Sequence, residues 1–292
     1  MARDNNLPAR SDAEAQHGSP PVSTRDLGAS PWRKPLAIGV FGFIVAIILF
    51  FLILPTLIVI PMSLGDANYI EFPPHRLTLR WYAAYFSDPA WMAATWFSLR
   101  IALATTVAAT VIGCMAAIAL MRGALPGKGI LHALTLSPMV VPHIVVAVAL
   151  YLMFAPLRLT GNFFGFLLAH TLLAVPYVVI TVTAALQRFD PALELAALNC
   201  GATRLRAFFS VVLPNILPGV AAGAVFAFLA SFDEATVAFF ISGVEGKSIT
   251  RKMFEDIDYN LTPVIAAVST VLVAVSLLLM SGLQLLQSRK KA

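Results

Sequence analysis

The stretch DPALELAALNCGATRLRAFFSVVLPNILPG, residues 190–219, lies between two long apolar segments and differs from both in composition. Asp190 can cap a helix start, and Pro191 fits the first helical position, where its missing N–H costs nothing. Apolar residues then recur at helical spacing until Gly201, which reaches the left-handed conformation freely and is typical of a helix end. The pattern predicts a short helix over residues 191–200.

A second short helix is predicted over residues 204–212, ending at Leu213 and Pro214 because proline interrupts the hydrogen-bond ladder of a helix. Two short helices around a glycine break would form a compact projection with a surface of small residues. On local physics alone, the projection is equally an ordinary loop that packs on its own protein.

The composition indicates an integral membrane protein. Of the 292 residues, 59% are hydrophobic and 12% are charged, whereas soluble domains carry about 25% charged residues. The net charge of +5 does not indicate nucleic-acid binding, because basic residues in such a chain usually mark cytoplasmic loops. Cys114 and Cys200 are too few for a disulfide framework or a metal site. The sequence has no phosphate-binding loop, so any ATP must be hydrolysed by another chain.

Six windows without Asp, Glu, Lys or Arg are each long enough for a membrane helix: residues 35–65, 101–121, 129–157, 159–187, 207–232 and 259–288. They predict an all-α membrane protein with six transmembrane helices. Prolines inside the windows predict kinks that packed neighbours can tolerate, at Pro55, Pro138, Pro142 and Pro176. Residues 1–34 are polar and lack a periodic apolar face, which predicts a disordered tail, and residues 35–292 are predicted to be one membrane domain.

An even number of spans places both termini on one side of the membrane. Most Lys and Arg residues then share the side of the termini, including Arg188, Arg204 and Arg206 beside the projection. Because basic loops stay in the cytoplasm, the termini, the tail and the projection are all predicted to be cytoplasmic. Residues 66–99 would then form an outer connection, with aromatic side chains that suit the membrane interface.

Two adjacent carboxylates, Asp233 and Glu234, follow the fifth window. Carboxylates near membrane depth are costly unless they face water, a partner or a ligand. Either they lie at the outer end of the fifth span, in solvent or paired with a neighbouring helix, or at least one lines a pathway for a cationic solute. If both are on a helix, their side chains point about 100° apart, so one would face the pathway and the other would pair with a neighbour.

Three histidines lie in apolar windows, at His132, His143 and His170. Their spacing does not match a zinc motif, and no cysteine or carboxylate accompanies them in the sequence. They are predicted to be hydrogen-bonding residues between helices and not metal ligands.

The spacing within residues 194–214 resembles the cytoplasmic signature of the membrane subunits of binding-protein-dependent ABC importers. That signature is Glu-Ala-Ala, three residues, Gly, nine residues, a β-branched residue, one further residue and then Leu-Pro. The matching residues are Ala196, Ala197, Gly201, Val211, Leu213 and Pro214. One position departs from the signature: Leu195 occupies the usual Glu position, and the carboxylate stands one residue earlier, at Glu194.

The resemblance extends from about Leu77 to the C-terminus, and this chain is similar to the permeases of spermidine/putrescine importers. Two segments carry that similarity, LTLRWYAAYFSDPAWMAATWFSLRIALATT from Leu77 and SFDEATVAFFISG from Ser231. Relatives of that group carry GABA, opines, phosphonates and other small solutes. The resemblance therefore implies the family, and leaves the solute open between a polyamine-like cation and a neutral or anionic compound.

The resemblance also implies a type I importer fold, without catalytic activity or a cofactor in this chain. Two permeases would form the pathway, two copies of an ATPase that binds ATP and Mg²⁺ would dock beneath them, and a periplasmic protein would deliver the solute. The chain would be a multi-pass protein of the bacterial inner membrane. The helix at residues 191–200 would be the coupling helix, and the residues implied in coupling are Glu194, Leu195, Ala196, Ala197, Gly201, Leu213 and Pro214.

A self-sufficient secondary transporter or a membrane-embedded scaffold is the alternative from another class. A secondary transporter would need coupling-ion residues deep in several spans, and the six apolar windows contain no Asp, Glu, Lys or Arg.

Overall fold

The computed structural model describes residues 33–243 and 246–288. The predicted tail lies outside the described residues up to position 32, as do the basic residues at positions 289–291. The chain divides into two compact units, Met1–Leu54 and Pro55–Ala292. The described part of the first unit is the beginning of the first helix, where large apolar side chains such as Phe51 are mostly exposed. Exposed apolar side chains along a long helix suit contact with lipid.

Most of the described residues are helical, which confirms the all-α prediction. In chain order the helices are α1 (Arg33–Ser63), α2 (Arg80–Ser87), α3 (Pro89–Arg122), α4 (Lys128–Val140), α5 (His143–Phe154), α6 (Phe163–Arg188), α7 (Pro191–Asn199), α8 (Arg204–Ala207), a π-helical segment (Phe208–Val212), α9 (Leu213–Phe232), α10 (Thr236–Ile241), α11 (Ile249–Tyr259) and α12 (Val264–Ser288).

Five stretches of helix within the described residues are long and apolar enough to cross a membrane: Gly39–Ser63, Pro89–Arg122, Phe163–Arg188, Arg204–Phe232 and Val264–Leu285. The third predicted window contains two helices, α4 and α5, which pass the same test together but are bent by 101° at their junction. The total is six spans when this bent pair is counted as one.

The bend between α4 and α5 occurs at Val141 and Pro142, both of which have extended ψ angles. Proline has no N–H to donate, and it also disfavours helical geometry in the residue before it. The kink predicted at Pro142 is therefore a complete break in the helix. Pro55, Pro138 and Pro176, by contrast, lie within α1, α4 and α6.

The second span begins earlier than predicted, because α3 starts at Pro89 and not at residue 101. The side chain of Asp88 accepts hydrogen bonds from the N–H groups of Ala90, at 2.7 Å, and Trp91, at 3.2 Å. An Asp-Pro pair is the same helix-start pattern that predicted α7. The prediction of an outer connection over residues 66–99 is thus too long at its C-terminal end, since a single charge at Arg100 had interrupted the window.

Helices α3, α6 and α9 pack together through small residues. A Cβ atom on Gly113 of α3 would lie 2.6 Å from the Cβ atom of Val178 on α6, and one on Gly223 of α9 would lie 3.0 Å from the Cα atom of the same valine. Because Gly113 and Gly223 have no side chain, the helix backbones approach closely, as is common in membrane bundles.

A second packed region joins the bent pair of α4 and α5 to the short helix after the fifth span. Helix α5 packs against the short helix α10, and the fully buried residues Ala147 on α5 and Val237 and Ile241 on α10 lie in the same apolar cluster as Phe166 on α6. The break at the start of α5 and the break before α10 therefore belong to one region of the structure.

Candidate functional site

The short helix predicted from residues 191–200 is confirmed as α7, one residue shorter. The side chain of Asp190 accepts a hydrogen bond of 2.9 Å from the N–H of Ala192, as a helix cap does. At the other end, Gly201 has a φ of +86°, in the left-handed region. Its N–H donates to the carbonyl oxygen of Leu198 at 2.9 Å, which closes the helix.

The predicted end of the second helix at Leu213 and Pro214 is wrong. Helix α8 continues through the π-helical segment into α9, so residues 204–232 form one helical span. The N–H of Leu213 donates to the carbonyl oxygen of Phe208, five residues earlier. This wider turn lies directly before Pro214, which then occupies the first turn of α9, where its missing N–H is tolerated.

The surface of this projection, comprising α7 and α8, is not made of small residues alone. Helix α7 has no buried residue, and Leu193, Leu195 and Leu205 are 48%, 60% and 70% exposed. Ala196 is exposed and Ala197 is half-buried. An apolar face that is open in the described chain is more typical of an interaction surface than of a loop packed on its own protein.

The carboxylate of Glu194 forms an ion pair with another residue of this chain. Its Oε2 atom lies 2.6 Å from Nη1 of Arg122, the last residue of α3. The guanidinium of Arg122 also lies 5.4 Å from the ring centroid of Phe189, just before α7. Glu194 therefore attaches α7 to the end of the second span, whereas Leu195, at the signature position for Glu, points outward.

A cavity of about 540 Å³ lies between the bent pair α4 and α5, the break between α9 and α10, and neighbouring helices. Residues from six helices and from the break between α9 and α10 line it: Pro138, Met139, His143, Leu173, Tyr177, Phe226, Leu229, Ala230, Phe232, Asp233, Glu234, Ala235, Thr236, Leu272 and Ser276. Both predicted pathway carboxylates are among them.

The expectation that Asp233 and Glu234 share a helix is wrong. Helix α9 ends at Phe232, and α10 does not begin until Thr236, so both carboxylates lie in the break. Both residues line the cavity, although Asp233 is exposed and Glu234 is only 7% exposed. The two residues therefore differ in burial and not in the cavity they border.

Both carboxylate oxygens of Glu234 have partners. Oε1 accepts a hydrogen bond of 2.9 Å from the N–H of Val237, in the first turn of α10. Oε2 lies 3.3 Å from Nδ1 of His143, the first residue of α5. The carbonyl oxygen of Glu234 accepts a further hydrogen bond, of 3.1 Å, from Oγ1 of Thr250 on α11. Glu234 thus connects three helices.

The carboxylate of Asp233 has no hydrogen-bond or ion-pair partner among residues 33–243 and 246–288. The described lining of the cavity contains no Lys or Arg. One unpaired carboxylate and one paired carboxylate therefore face a cavity whose other lining residues are mainly apolar. Such a cavity favours a positively charged group over a negative one.

The histidines differ in role. His170 is buried on α6, and its Nδ1 lies 2.9 Å from Oγ of Ser231 on α9, as predicted for a hydrogen-bonding residue between helices. His143 contacts Glu234 and so also links separate elements, but the sequence did not indicate its partner. The signal available was weak, because a histidine directly after Pro142 stands at a possible helix break, but its partner is distant in the sequence. The prediction is wrong for His132, which is exposed on α4 and whose side chain has no hydrogen-bond or ion-pair partner in the described part of the chain.

The chain is similar to known proteins over the residues of both the projection and the cavity. Residues 109–292 match the family described as binding-protein-dependent transport system inner membrane component. The spermidine/putrescine transport system permease protein PotC of Escherichia coli (strain K12) is 30% identical over 250 residues, which are 85% of this chain and 94% of that protein. The putrescine transport system permease protein PotI of the same strain is 30% identical over 250 residues, which are 83% and 86% of the two chains.

A solved bacterial ABC transporter, involved in the import of the acidic polysaccharide alginate, has a similar fold. Its matching chain has a TM-score of 0.69 at 15% sequence identity, and the match covers 88% of this chain and 98% of that one. At that identity the likeness applies to the arrangement of helices and not to the solute.

Proposed function

Since this chain belongs to the family of binding-protein-dependent transport system inner membrane components and is a permease subunit of an ABC importer, we propose that its solute is a small organic cation of the polyamine class. The observation that carries the proposal is the cavity in which Asp233 is unpaired and no described Lys or Arg lines the wall. The relatives named for spermidine and putrescine transport support the same solute class.

The cavity offers an ammonium group two kinds of weak attraction. Asp233 supplies a counter-charge that is partly solvated, so its attraction is modest and the solute can leave again. Tyr177, Phe226 and Phe232 supply aromatic rings in the same lining, and the faces of such rings attract ammonium groups by about 0.5–2 kcal/mol each, depending on solvent exposure. A polyamine combines ammonium groups with a flexible apolar chain, which suits both features.

The assembly that we propose is supported by the family and, for the ATPase, by the open apolar face of the projection. A second, homologous permease would complete the pathway, and a cytoplasmic ATPase would cover α7, with two copies in the whole importer. The ATPases would bind and hydrolyse ATP, and this chain would have no catalytic role. A periplasmic protein would deliver the solute on the opposite side, and both termini would be cytoplasmic.

In this proposal, α7 is the coupling helix. Closure of the ATPases would push α7, and the ion pair between Glu194 and Arg122 would pass the movement to α3. The continuous helix over residues 204–232 would pass it to the break at Asp233. Rigid movement of these spans would alternate access to the cavity between the two sides of the membrane.

Competition in uptake assays tests the solute class. Cells that carry the complete importer take up labelled putrescine or spermidine, and we expect unlabelled diamines and triamines to compete while GABA and a phosphonate do not. Binding of the same compounds to the cognate periplasmic protein provides an independent measurement. Uptake restricted to neutral or anionic compounds would replace the proposed solute with one of the other classes that the family carries.

A further inference from the structure

We propose that the imidazole of His143 contacts the carboxylate of Glu234 at the position that an amino group of the solute takes when the solute binds. The importer would thereby select solutes with two amino groups. This inference rests on the proposed function, because it concerns organic cations in the same cavity. It adds a specificity-determining residue that the sequence did not indicate.

Glu234 is the fixed member of the contact. Its Oε1 is held by the N–H of Val237 at 2.9 Å, and its carbonyl oxygen by Thr250 at 3.1 Å. The residue is 7% exposed. Moving this carboxylate would leave the buried N–H of Val237 without its partner.

His143 is the member that can move. Its side chain is 46% exposed, although it lines the cavity and lies 3.3 Å from Oε2 of Glu234. It is the first residue of α5, directly after the break at Pro142. Among the described residues the imidazole has no polar partner besides Glu234, so its rotation would break that contact alone.

The neighbouring carboxylates give the cavity two positions for amino groups. The carboxylate of Asp233 has no partner among the described residues, whereas Oε2 of Glu234 contacts His143. A compound with one amino group would be satisfied at Asp233 and would leave His143 in place. A diamine would place its second amino group against Oε2 of Glu234 and displace the imidazole. Displacement removes the polar contact between the start of α5 and the break between α9 and α10, while the apolar packing of α5 on α10 remains. Only a diamine would remove that contact.

The test compares 1,4-diaminobutane with n-butylamine in cells that carry the complete importer. We expect His143→Ala to lower the KM for diaminobutane uptake by up to about fivefold, because a partly exposed contact of this kind is worth roughly 0.2–1 kcal/mol. His143→Lys would provide a permanent competing amino group and should raise that KM. The inhibition constant of n-butylamine should stay within about twofold in both variants. His143→Gln, which keeps an N–H donor, should lie between wild type and His143→Ala.

Uptake is normalised to the amount of protein inserted in the membrane, and His132→Ala is the matched control, since His132 is exposed on α4 and does not line the cavity. If His143 had only a structural role, His143→Ala and His143→Lys would change the KM for diaminobutane in the same direction. Alternatively, each variant would change that KM and the inhibition constant of n-butylamine by the same factor. Either result overturns the inference alone. Wild-type cells that take up no amine at all would overturn the proposed function and the inference together.

Discussion

Arg122, the last residue of α3, and Glu194, on α7, form an ion pair with 2.6 Å between Nη1 and Oε2. The two residues are 72 positions apart in the chain. The pair joins the end of the second span to the helix that we propose to contact the ATPase. The signature of the family places a carboxylate one position later, where Leu195 is 60% exposed. In this chain the carboxylate therefore serves an internal contact, and the exposed position is apolar.

We predict that Glu194→Gln weakens coupling without removing the protein from the membrane. The side chains of Arg122 and Glu194 are 31% and 25% exposed, so the pair should contribute at most about 1 kcal/mol to stability. Transport should fall by about two- to fivefold, with an unchanged amount of protein in the membrane. The exchange of both charges, Arg122→Glu with Glu194→Arg, should restore part of the lost transport.

The control for this variant is Glu71→Gln, which removes a carboxylate from a half-buried residue in the connection before α2, where it accepts only a hydrogen bond of 3.4 Å from the N–H of His75. Equal uptake in Glu194→Gln and Glu71→Gln would show that the ion pair plays no part in transport.

Gly201 should be sensitive to substitution through its backbone alone. Its φ is +86°, and a Cβ atom there would meet nothing within 4 Å. A β-branched residue resists the left-handed region, whereas asparagine tolerates it. We therefore expect Gly201→Val to reduce transport or ATPase association strongly, by about tenfold, and Gly201→Asn to remain near wild type. Uptake and co-purification of the ATPase measure the two effects.

Gly129→Val is the matched control, because Gly129 also has open space around it but lies within α4 and has no left-handed φ. A similar loss in Gly129→Val, or no loss in Gly201→Val, would contradict the role assigned to the backbone at Gly201.

Gly223 should be sensitive for the opposite reason, because there a side chain has no room. A Cβ atom on Gly223 would lie 2.5 Å from Oγ1 of Thr181 and 3.0 Å from the Cα atom of Val178. Gly223→Ala should thus destabilise the purified complex by about 1–3 kcal/mol, since helix backbones must move apart. Gly282→Ala on α12, where a Cβ atom meets nothing within 4 Å, should leave the melting temperature unchanged or raise it. Equal melting temperatures in the two variants would contradict the close packing of α6 and α9.

The predicted topology can be tested with the natural cysteine at position 200, which is exposed beside Gly201. A membrane-impermeant maleimide should leave Cys200 unlabelled in intact cells and label it after permeabilisation. Tyr69→Cys, at a residue that is 66% exposed in the connection before α2, should be labelled in intact cells. Labelling of Cys200 from outside would reverse the orientation and remove α7 from the cytoplasm.

Local patterns in the sequence predicted local structure well where one residue type determines the geometry. The cap at Asp190, the left-handed Gly201 and the break at Pro142 each follow from the conformational limits of a single residue. The Asp-Pro pattern at Asp88 would also have predicted the start of α3, but the charge of Arg100 made the apolar window begin too late.

Features that depend on neighbours in space were not predictable in the same way. The helix passes Pro214 because a π-helical turn precedes it, and nothing in Leu213-Pro214 itself indicates that turn. The partners Glu234 and His143 lie on different spans, and their contact depends on how two separate breaks pack together. The sequence indicated both carboxylates, but only their positions in the fold distinguish the open one from the paired one.

The two cavity carboxylates should therefore respond differently to neutralisation. Asp233→Asn removes an exposed, unpaired charge, so we expect an unchanged amount of complex and a KM for diamine uptake raised by up to about fivefold, as for loss of a solvated ion pair. Glu234→Gln removes a buried charge that accepts a hydrogen bond from the N–H of Val237 and contacts the half-exposed His143, and a hydrogen bond to a charged group contributes about 1.5–3 kcal/mol. Its main effect should be a lower amount of assembled complex in the membrane. Asp258→Asn on α11, at another exposed carboxylate, should change neither quantity. Uptake per inserted complex that stays near wild type in both cavity variants would remove Asp233 and Glu234 from the pathway, and a neutral or zwitterionic solute would then fit the cavity better than a polyamine.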